Sequence, residues 1–509
     1  MRIAILLDRA RLFRWHLALI EALATARHTP VIRYRETSDP LPTTLTAILD
    51  FDYARGHSNS DSFSKHLKPQ AFDRFIERTG APADITLDLS SASTIQRLAG
   101  PVLRPFYDGS PKDYALFHAL LDRRAPHLTL WHSELEKVLD VGQPALEEPS
   151  RLATSMDQVT SRLVEGLLRY FAGTSGHTAH VLPISDTHPR DPNTSILVSA
   201  SGFISARTLR KARRLTDTFS GDAPRWHTAW RPLPGAPNIS PGVLNLVDYK
   251  ILADDGARSY ADPFVFPDNG TAHIFLAESQ EVTGHSIIAH TIVSGGNIAT
   301  PEPVLSIDVP LAHPFVFAQD GAIWMLPEQS AAGGLDLYRC TDFPGTWVRE
   351  ARLIDGRIHD ATLFAHDGLL WIAAACEAFQ SSTWDGLGLY WSKSLTGPWN
   401  AHPLNPVIVD AQSARPAGAV WHADGQLYRP AQDCSSSFGS AVSIQRIAAL
   451  TRDTFAEETA GSLAFAPGQH LSGPHAISRG GGIEVVDLYA RPSAIRAAYR
   501  AGYRSAITL

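Results

Sequence analysis

Three cysteines in 509 residues are too few and too scattered to frame a fold. Cys340, Cys376 and Cys434 are an odd number without C-x-x-C spacing, which excludes a disulfide scaffold and a zinc knuckle and fits a reducing compartment. Long apolar runs are missing too: no segment approaches the ~20 residues needed to cross a bilayer. The opening run Ile3–Leu7 meets Asp8 and Arg9 too early for a signal peptide and reads as a buried strand. A cytoplasmic protein with no membrane span is expected. There is no basic excess, with 45 Lys and Arg against 52 Asp and Glu and a net charge of −7, and the arginines are scattered, so nucleic acid is not an expected partner. The turn Asp8-Arg9-Ala10-Arg11 lacks the glycines that let a backbone approach a pyrophosphate. No cofactor is expected.

What is present begins with a length beyond that of one hydrophobic core. The first third alternates strand-like and helix-like segments: strands at Ile3–Leu7, Pro30–Tyr34, Thr44–Phe51, Ile85–Leu89 and Pro101–Phe106, and helices at Leu12–Ala26, Lys112–Leu121 and Ser155–Phe171. This predicts an α/β domain over residues 1–175. A polar stretch follows, ending in the basic run Arg207–Arg214, which reads as a solvated connecting helix. Residues 176–225 are taken as a linker, and beyond them short aromatic strands and tight turns take over.

The second half repeats. Asp262-Pro-Phe-Val-Phe-Pro-Asp-Asn-Gly270, His313-Pro-Phe-Val-Phe-Ala-Gln-Asp-Gly321, Asp360-Ala-Thr-Leu-Phe-Ala-His-Asp-Gly368 and Arg415-Pro-Ala-Gly-Ala-Val-Trp-His-Ala-Asp-Gly425 share one pattern, with a weaker fifth at Pro474–Gly482. The marker glycines 270, 321, 368, 425 and 482 are 51, 47, 57 and 57 residues apart, a period that suits a four-stranded propeller blade. Asn-Gly and Asp-Gly favour the type I′ hairpin turn. A five-bladed, all-β propeller over residues 226–509 is predicted, closed by pairing Trp226–Arg231 with Ile483–Tyr489 so that no sheet edge stays open.

Counting outward from each turn gathers ionisable residues at one mouth. Asp262 and Glu278 flank Gly270, His313 and Glu328 flank Gly321, and Asp360, preceded by His359, and Glu377 flank Gly368. Residues equidistant from an antiparallel turn sit side by side. Blade four adds Arg415, Arg429, Gln432 and Asp433, and blade five His470 and His475. Two readings stand: a salt-bridged girdle that closes the channel, or a cleft in which two carboxylates with separated pKa values act on a glycosidic bond. Trp384 and Trp391 could stack on sugar faces or pack between blades.

The segments YADPFVF, HPFVF with a downstream PE, HDATLF and NPVIVDAQSARPAGAVWHADGQLYRPAQDC resemble the propeller domain of plant glucosamine inositolphosphorylceramide transferases and their bacterial relatives. That propeller is similar to the five-bladed fold of glycoside hydrolase families 43, 32 and 68. The resemblance implies a base Asp at the start of blade one, a second Asp on blade two and a general-acid Glu on blade three. By position these are Asp262, His313 and Asp360, so two of three depart from the hydrolase pattern. Glu328 or Glu377 is then the candidate acid. Some relatives hold a metal through a channel histidine, a role open to His475 or His313 but not assigned.

In the first domain, GPVLRPFYDGSPKDYALFHALLD followed by Leu139-Asp140-Val141-Gly142 is similar to the C-terminal half of a formyltransferase catalytic domain. The family's Asn and His correspond to Leu103 and Pro105, which leaves only Asp140 and a fold without that activity.

The functions implied are a carbohydrate-active enzyme with Asp262, Glu328 and Asp360 as catalytic candidates, or a non-catalytic glycan-binding module assisting a glycosyltransferase partner. Formyl transfer to an amino sugar is the weakest. Glu278, His313, His359, Glu377, Arg415, Arg429, Gln432, Asp433, His470 and His475 are the candidate binding residues.

Overall fold

The computed structural model describes the chain except at residues 36–39, 55–60, 79, 92–99, 136, 174–191, 221, 234, 236–237, 281–282, 295 and 508–509, and except for the side chains of 137, 192–195, 214–220 and 502–507. Its contacts divide into two units, Met1–Arg214 with Ala378–Ser382, and Leu215–Glu377 with Thr383–Leu509.

The first unit is a six-stranded sheet with helices. Strands β1 (Arg2–Asp8), β2 (Thr29–Arg35), β3 (Ile85–Asp88), β4 (Val102–Tyr107), β5 (Leu128–His132) and β6 (Lys137–Gly142) lie in the order β2-β1-β3-β4-β5-β6. The first four are parallel, and β5 and β6 run antiparallel. Ile3, Ile5 and Leu7 of β1 are fully buried, as expected for a central parallel strand covered on both faces. The helices are α1 (Arg14–Thr25), α2 (Thr43–Ala54), α3 (Asp113–Leu121), α4 (Leu152–Phe171) and α5 (Pro192–Ser220).

The segment Thr44–Phe51, expected as a strand, is helical. Its buried residues Leu45, Ile48, Leu49 and Asp52 follow the helical spacing i, i+3, i+4, i+7. The first-turn amides of α1 are already bonded within the chain, Arg14 N to Lys65 O at 2.8 Å and Trp15 N to Phe63 O at 3.1 Å. The end of the helix that could receive a phosphate is therefore closed by protein. Leu103 and Pro105 are buried on β4, while Asp140 sits on the edge strand β6, 2.8 Å from His127.

Of the expected linker, residues 176–191 lie outside the described part, and most of the rest is α5. Ile196, Ala200 and Phe203 enter the core of the first unit, and Arg207 bonds Asp52 at 2.6 Å. The unit boundary at Arg214 falls within the span expected to join the domains.

The second unit is a five-bladed β-propeller. Blade one is built on Arg258–Asp268, Thr271–Gln280 and Ser286–Ser294, and blade two on Ala312–Gln319, Ala322–Glu328, Gly334–Asp342 and Thr346–Asp355. Blade three holds Ile358–His366, Leu369–Cys376 and Gly386–Ser392; blade four holds Trp421–Ala423, Gln426–Asp433, Ala441–Leu450 and Phe455–Phe465. Blade five pairs Ile477–Gly480 and Ile483–Ala490 with the early strand Arg225–Pro232, in the register Ile483↔Pro232 to Ala490↔Arg225. The ring thus closes by the predicted pairing of its two ends. At the hairpin tips Asn269 and Gly270, Asp320 and Gly321, Asp367 and Gly368, and Asp424 and Gly425 all have positive φ, as a type I′ turn requires. Helix α6 (Pro492–Ile507) packs Ile495 and Ala498 against the blade-five core.

Candidate functional site

The inner strands of blades one to three carry the same irregularity. The register slips by one residue between Ala261 and Phe264, between Ala312 and Phe315, and between His359 and Thr362. Each is a β-bulge led by a non-glycine residue in the left-handed region: Asp262 (φ 50°), His313 (φ 42°) and Asp360 (φ 50°). The expectation that Asp262 lies beside Glu278, and His313 beside Glu328, is therefore corrected: Glu278 faces Tyr260, and Glu328 faces Ala312. The bulged residue leaves the ladder, and its side chain joins those of neighbouring blades.

Two clusters result. In the first, His475 lies between two carboxylates, with Nε2 2.8 Å from Asp262 Oδ1 and Nδ1 2.6 Å from Asp487 Oδ2, the latter off the hydrogen-bond direction. Asp487 also accepts from the backbone N–H groups of Asp262, His475 and Ala476 at 2.9, 3.0 and 2.9 Å. Burial alone would lower the imidazole's pKa, but Asp487 and Asp262 together push it up to about 10. Burial would raise Asp262, yet His475 holds it below the usual carboxylate range.

The second cluster centres on Asp360, which accepts from Arg415 Nε at 2.6 Å, Arg415 Nη2 at 3.2 Å and Gln432 Nε2 at 2.7 Å. Glu328 receives His359 Nδ1 at 2.9 Å and lies 3.5 Å from Arg415. Burial raises Asp360 despite Arg415, whereas hydrogen bonds from His359 and Asp360 outweigh burial at Glu328 and lower it. The two carboxyls are thus pushed in opposite directions, Asp360 up and Glu328 down. Burial would lower His359, but Glu328 and Glu377 push it up to about 9.

His313 lies between the clusters. Its backbone N–H reaches Asp262 at 3.3 Å, and its buried Nε2 has no partner among the described residues. Around the five blades the leading side chains therefore run Asp262, His313, Asp360, Arg415, His475, mostly acid next to base. Aromatic rings lie beside them: Trp226 is 4.2 Å and Phe438 5.2 Å from the His475 ring, Trp384 is 5.2 Å from Phe438, and the Arg415 guanidinium is 5.1 Å from the Phe438 ring.

Four expected members do not join. Arg429 is bound to Glu457 and to the carbonyls of Ser413 and Ala414, Glu278 pairs with Arg258 on blade one, Asp433 caps its own loop at Ser435, and His470 is exposed. Glu377 reaches the rim, 2.5 Å from Arg357 and 3.6 Å from His359. Trp391 is covered by Arg452 at 4.4 Å, apart from the other rings. Asp487 was missed, although an aspartate inside the apolar run Ile483–Ala490 signals a buried partner; Phe438 carried no such signal.

Asp262, His475 and Asp487 offer ligand atoms within 4.8 Å of one another. A cation there would compete with the proton for His475, because an imidazole ligates only in its neutral form.

Residues 245–469 match the family described as glucosamine inositolphosphorylceramide transferase 1, N-terminal. The Arabidopsis thaliana glucosamine inositolphosphorylceramide transferase 1 is 30% identical over 255 residues, 47% of this chain and 32% of that protein. The protein of the same name from Oryza sativa subsp. japonica is 33% identical over 202 residues, 39% of this chain and 27% of that protein. The chain thus spans about a third of the length of these curated relatives. Among solved structures, an α-L-arabinanase from Cellvibrio cellulosa complexed with arabinohexaose is 15% identical, over 39% of this chain and 77% of that chain, at a TM-score of 0.29. An exo-β-1,3-galactanase from Phanerochaete chrysosporium with galactose is 13% identical, over 38% and 46%, at 0.30. Over residues 245–469, then, this propeller is similar in sequence to the glucosamine inositolphosphorylceramide transferase 1 N-terminal family.

Proposed function

We propose that the propeller is a glycan-recognition domain that serves a glycosyl-transfer reaction and does not itself hydrolyse a glycosidic bond. One observation carries this reading: the carboxylates at the ring are already committed, Asp262 to His475 and Asp360 to Arg415 and Gln432. Neither is free to take a proton from water, as a general base must. Trp226, Trp384 and Phe438 supply apolar faces for a sugar ring, and Glu328, His359 and Arg415 supply charged hydrogen-bond partners for its hydroxyls. A glycosyltransferase acting on the held glycan is the partner that this role needs, and a cytoplasmic setting agrees with the free thiols.

A second reading rests on Glu328 and Asp360. Burial pushes Asp360 up while hydrogen bonds hold Glu328 down, and the Glu328 side chain is 15% exposed, the opposed tuning that an acid and a base need. Formyl transfer draws no support from Leu103 and Pro105, which have no proton to move.

Titrating oligosaccharides into the full chain by calorimetry, beside an assay on aryl glycosides, tests the choice. Binding that falls about tenfold or more in Trp226→Ala or Trp384→Ala, without turnover, is the expected result. Turnover abolished by Glu328→Gln in a folded protein would overturn it in favour of the second reading.

A further inference from the structure

Among the described residues, helix α5 presents an outer face that is exposed. Its inner face is fixed by Ile196, Ala200, Phe203 and Arg207, which pack on the first unit. Leu197, Val198, Ile204 and Leu209 are 57%, 67%, 50% and 55% exposed. They account for a third of the exposed large hydrophobics among the described residues, although the helix is only 29 residues long. On a helical wheel Val198 and Leu209 fall opposite the packed residues and Leu197 and Ile204 about a quarter-turn from them, with Ser201, Ser205 and Thr208 between the two pairs. Two of those hydroxyls are turned back onto the helix, Ser201 Oγ to Val198 O at 2.8 Å and Thr208 Oγ1 to Ile204 O at 3.0 Å. The outward face from Leu197 to Leu209 therefore has no charge and few unmet hydrogen bonds.

The next turn is cationic: Arg210, Lys211 and Arg213 are all exposed. The sequence from Pro192 to Thr216 contains no Asp or Glu, and the first, Asp217, comes four residues after Arg213. A second copy of the chain is a poor occupant. Pairing two such helices in parallel would set cations against cations, and antiparallel pairing would set them against the positive end of the partner's helix dipole. An apolar strip with self-satisfied hydroxyls asks for a medium that needs no hydrogen bonds, and the basic turn asks for anions. A bilayer surface with anionic headgroups offers both side by side.

We propose that α5 is an interfacial membrane-docking helix that lays Leu197, Val198, Ile204 and Leu209 into an anionic lipid surface, with Lys211 at the edge of the strip among the headgroups and Arg210 adding to the local positive charge. The helix lies on the bilayer and does not cross it; no described helix is long and apolar enough to span.

The test is co-sedimentation of the full chain with vesicles of phosphatidylcholine alone and of phosphatidylcholine with about 30% phosphatidylserine, at low and high salt. Partition onto the anionic vesicles, weakened by salt and absent from the neutral ones, is expected. The double variants Leu197→Asp/Ile204→Asp and Arg210→Glu/Lys211→Glu should each lower the partition about tenfold or more, with an unchanged melting temperature because these side chains are exposed. Equal binding to neutral vesicles, no binding to anionic ones, or binding indifferent to both variants would overturn the proposal. So would a concentration-dependent dimer, seen by light scattering, that Leu197→Asp/Ile204→Asp dissolves without any vesicle binding having been present.

Discussion

At Asp262 charge and backbone can be separated. Asparagine tolerates the left-handed conformation (φ 50°) as well as aspartate does, so Asp262→Asn changes the charge and little else. It leaves His475 charged beside Asp487 alone, and breaking a buried pair of this kind costs about 3 kcal/mol. Urea denaturation should show that loss, with glycan affinity little changed. A protein of wild-type stability would instead mean that Asp262 is not held by His475. The same histidines set a pH dependence. His475 at about 10 and His359 at about 9 are raised above the ordinary 6.5. Their contribution is complete below about pH 6.5 and lost as pH rises through 9 and 10. Asp262 and Glu328 are lowered, so theirs is present above the ordinary carboxylate range and lost as pH falls below it. Denaturation midpoints should therefore peak near pH 5 to 6.5 and decline towards pH 10, and His475→Gln should flatten the alkaline limb.

Among the elements, the bulged inner strands and the loop before blade five aim the site. Gly439 has φ 52°, and a Cβ there would stand 2.0 Å from the Cβ of His475. Gly439→Ala cannot be accommodated by a flexible side chain, because the obstruction is close to backbone. A loss of about 2 kcal/mol or more is expected from the overpacking and the strained φ together. The Trp226 fluorescence should change with it, since that ring rests on His475. The helix Thr43–Ala54 shows how an element was misread: Thr, Ile and Phe favour strands by composition, and the burial spacing that marks the helix emerges only from the packed structure.

For the whole molecule, ring closure is the decisive feature. Arg225–Pro232 lies nearly the whole propeller away in sequence from its partner Ile483–Ala490. A fragment of residues 222–509 retains every blade strand and should unfold in one cooperative transition. A fragment that starts at 234 loses the closing strand, leaves Val485 and Val486 uncovered and the edge of Ile483–Ala490 unpaired, and should aggregate. Circular dichroism and size-exclusion chromatography of the two fragments distinguish these outcomes.

The number of blades, the hairpin tips and the closing pair were all legible in the sequence, because turn chemistry and the period-2 alternation are local rules that each repeat states for itself. So were most of the ring members, since Asp262, His313, Asp360 and Arg415 begin equivalent segments. Their partners were not. A single-residue bulge in the inner strands of blades one to three moves the side chain off the face that counting from the turn assigns, and it does so without a composition that announces it. Arg429 was drawn away by Glu457 within its own blade, and His475 was claimed by Asp262 from the far end of the propeller sequence. Whether a carboxylate is a free base or one half of an ion pair depends on which blade closes beside it, and that was decided only when the ring was complete.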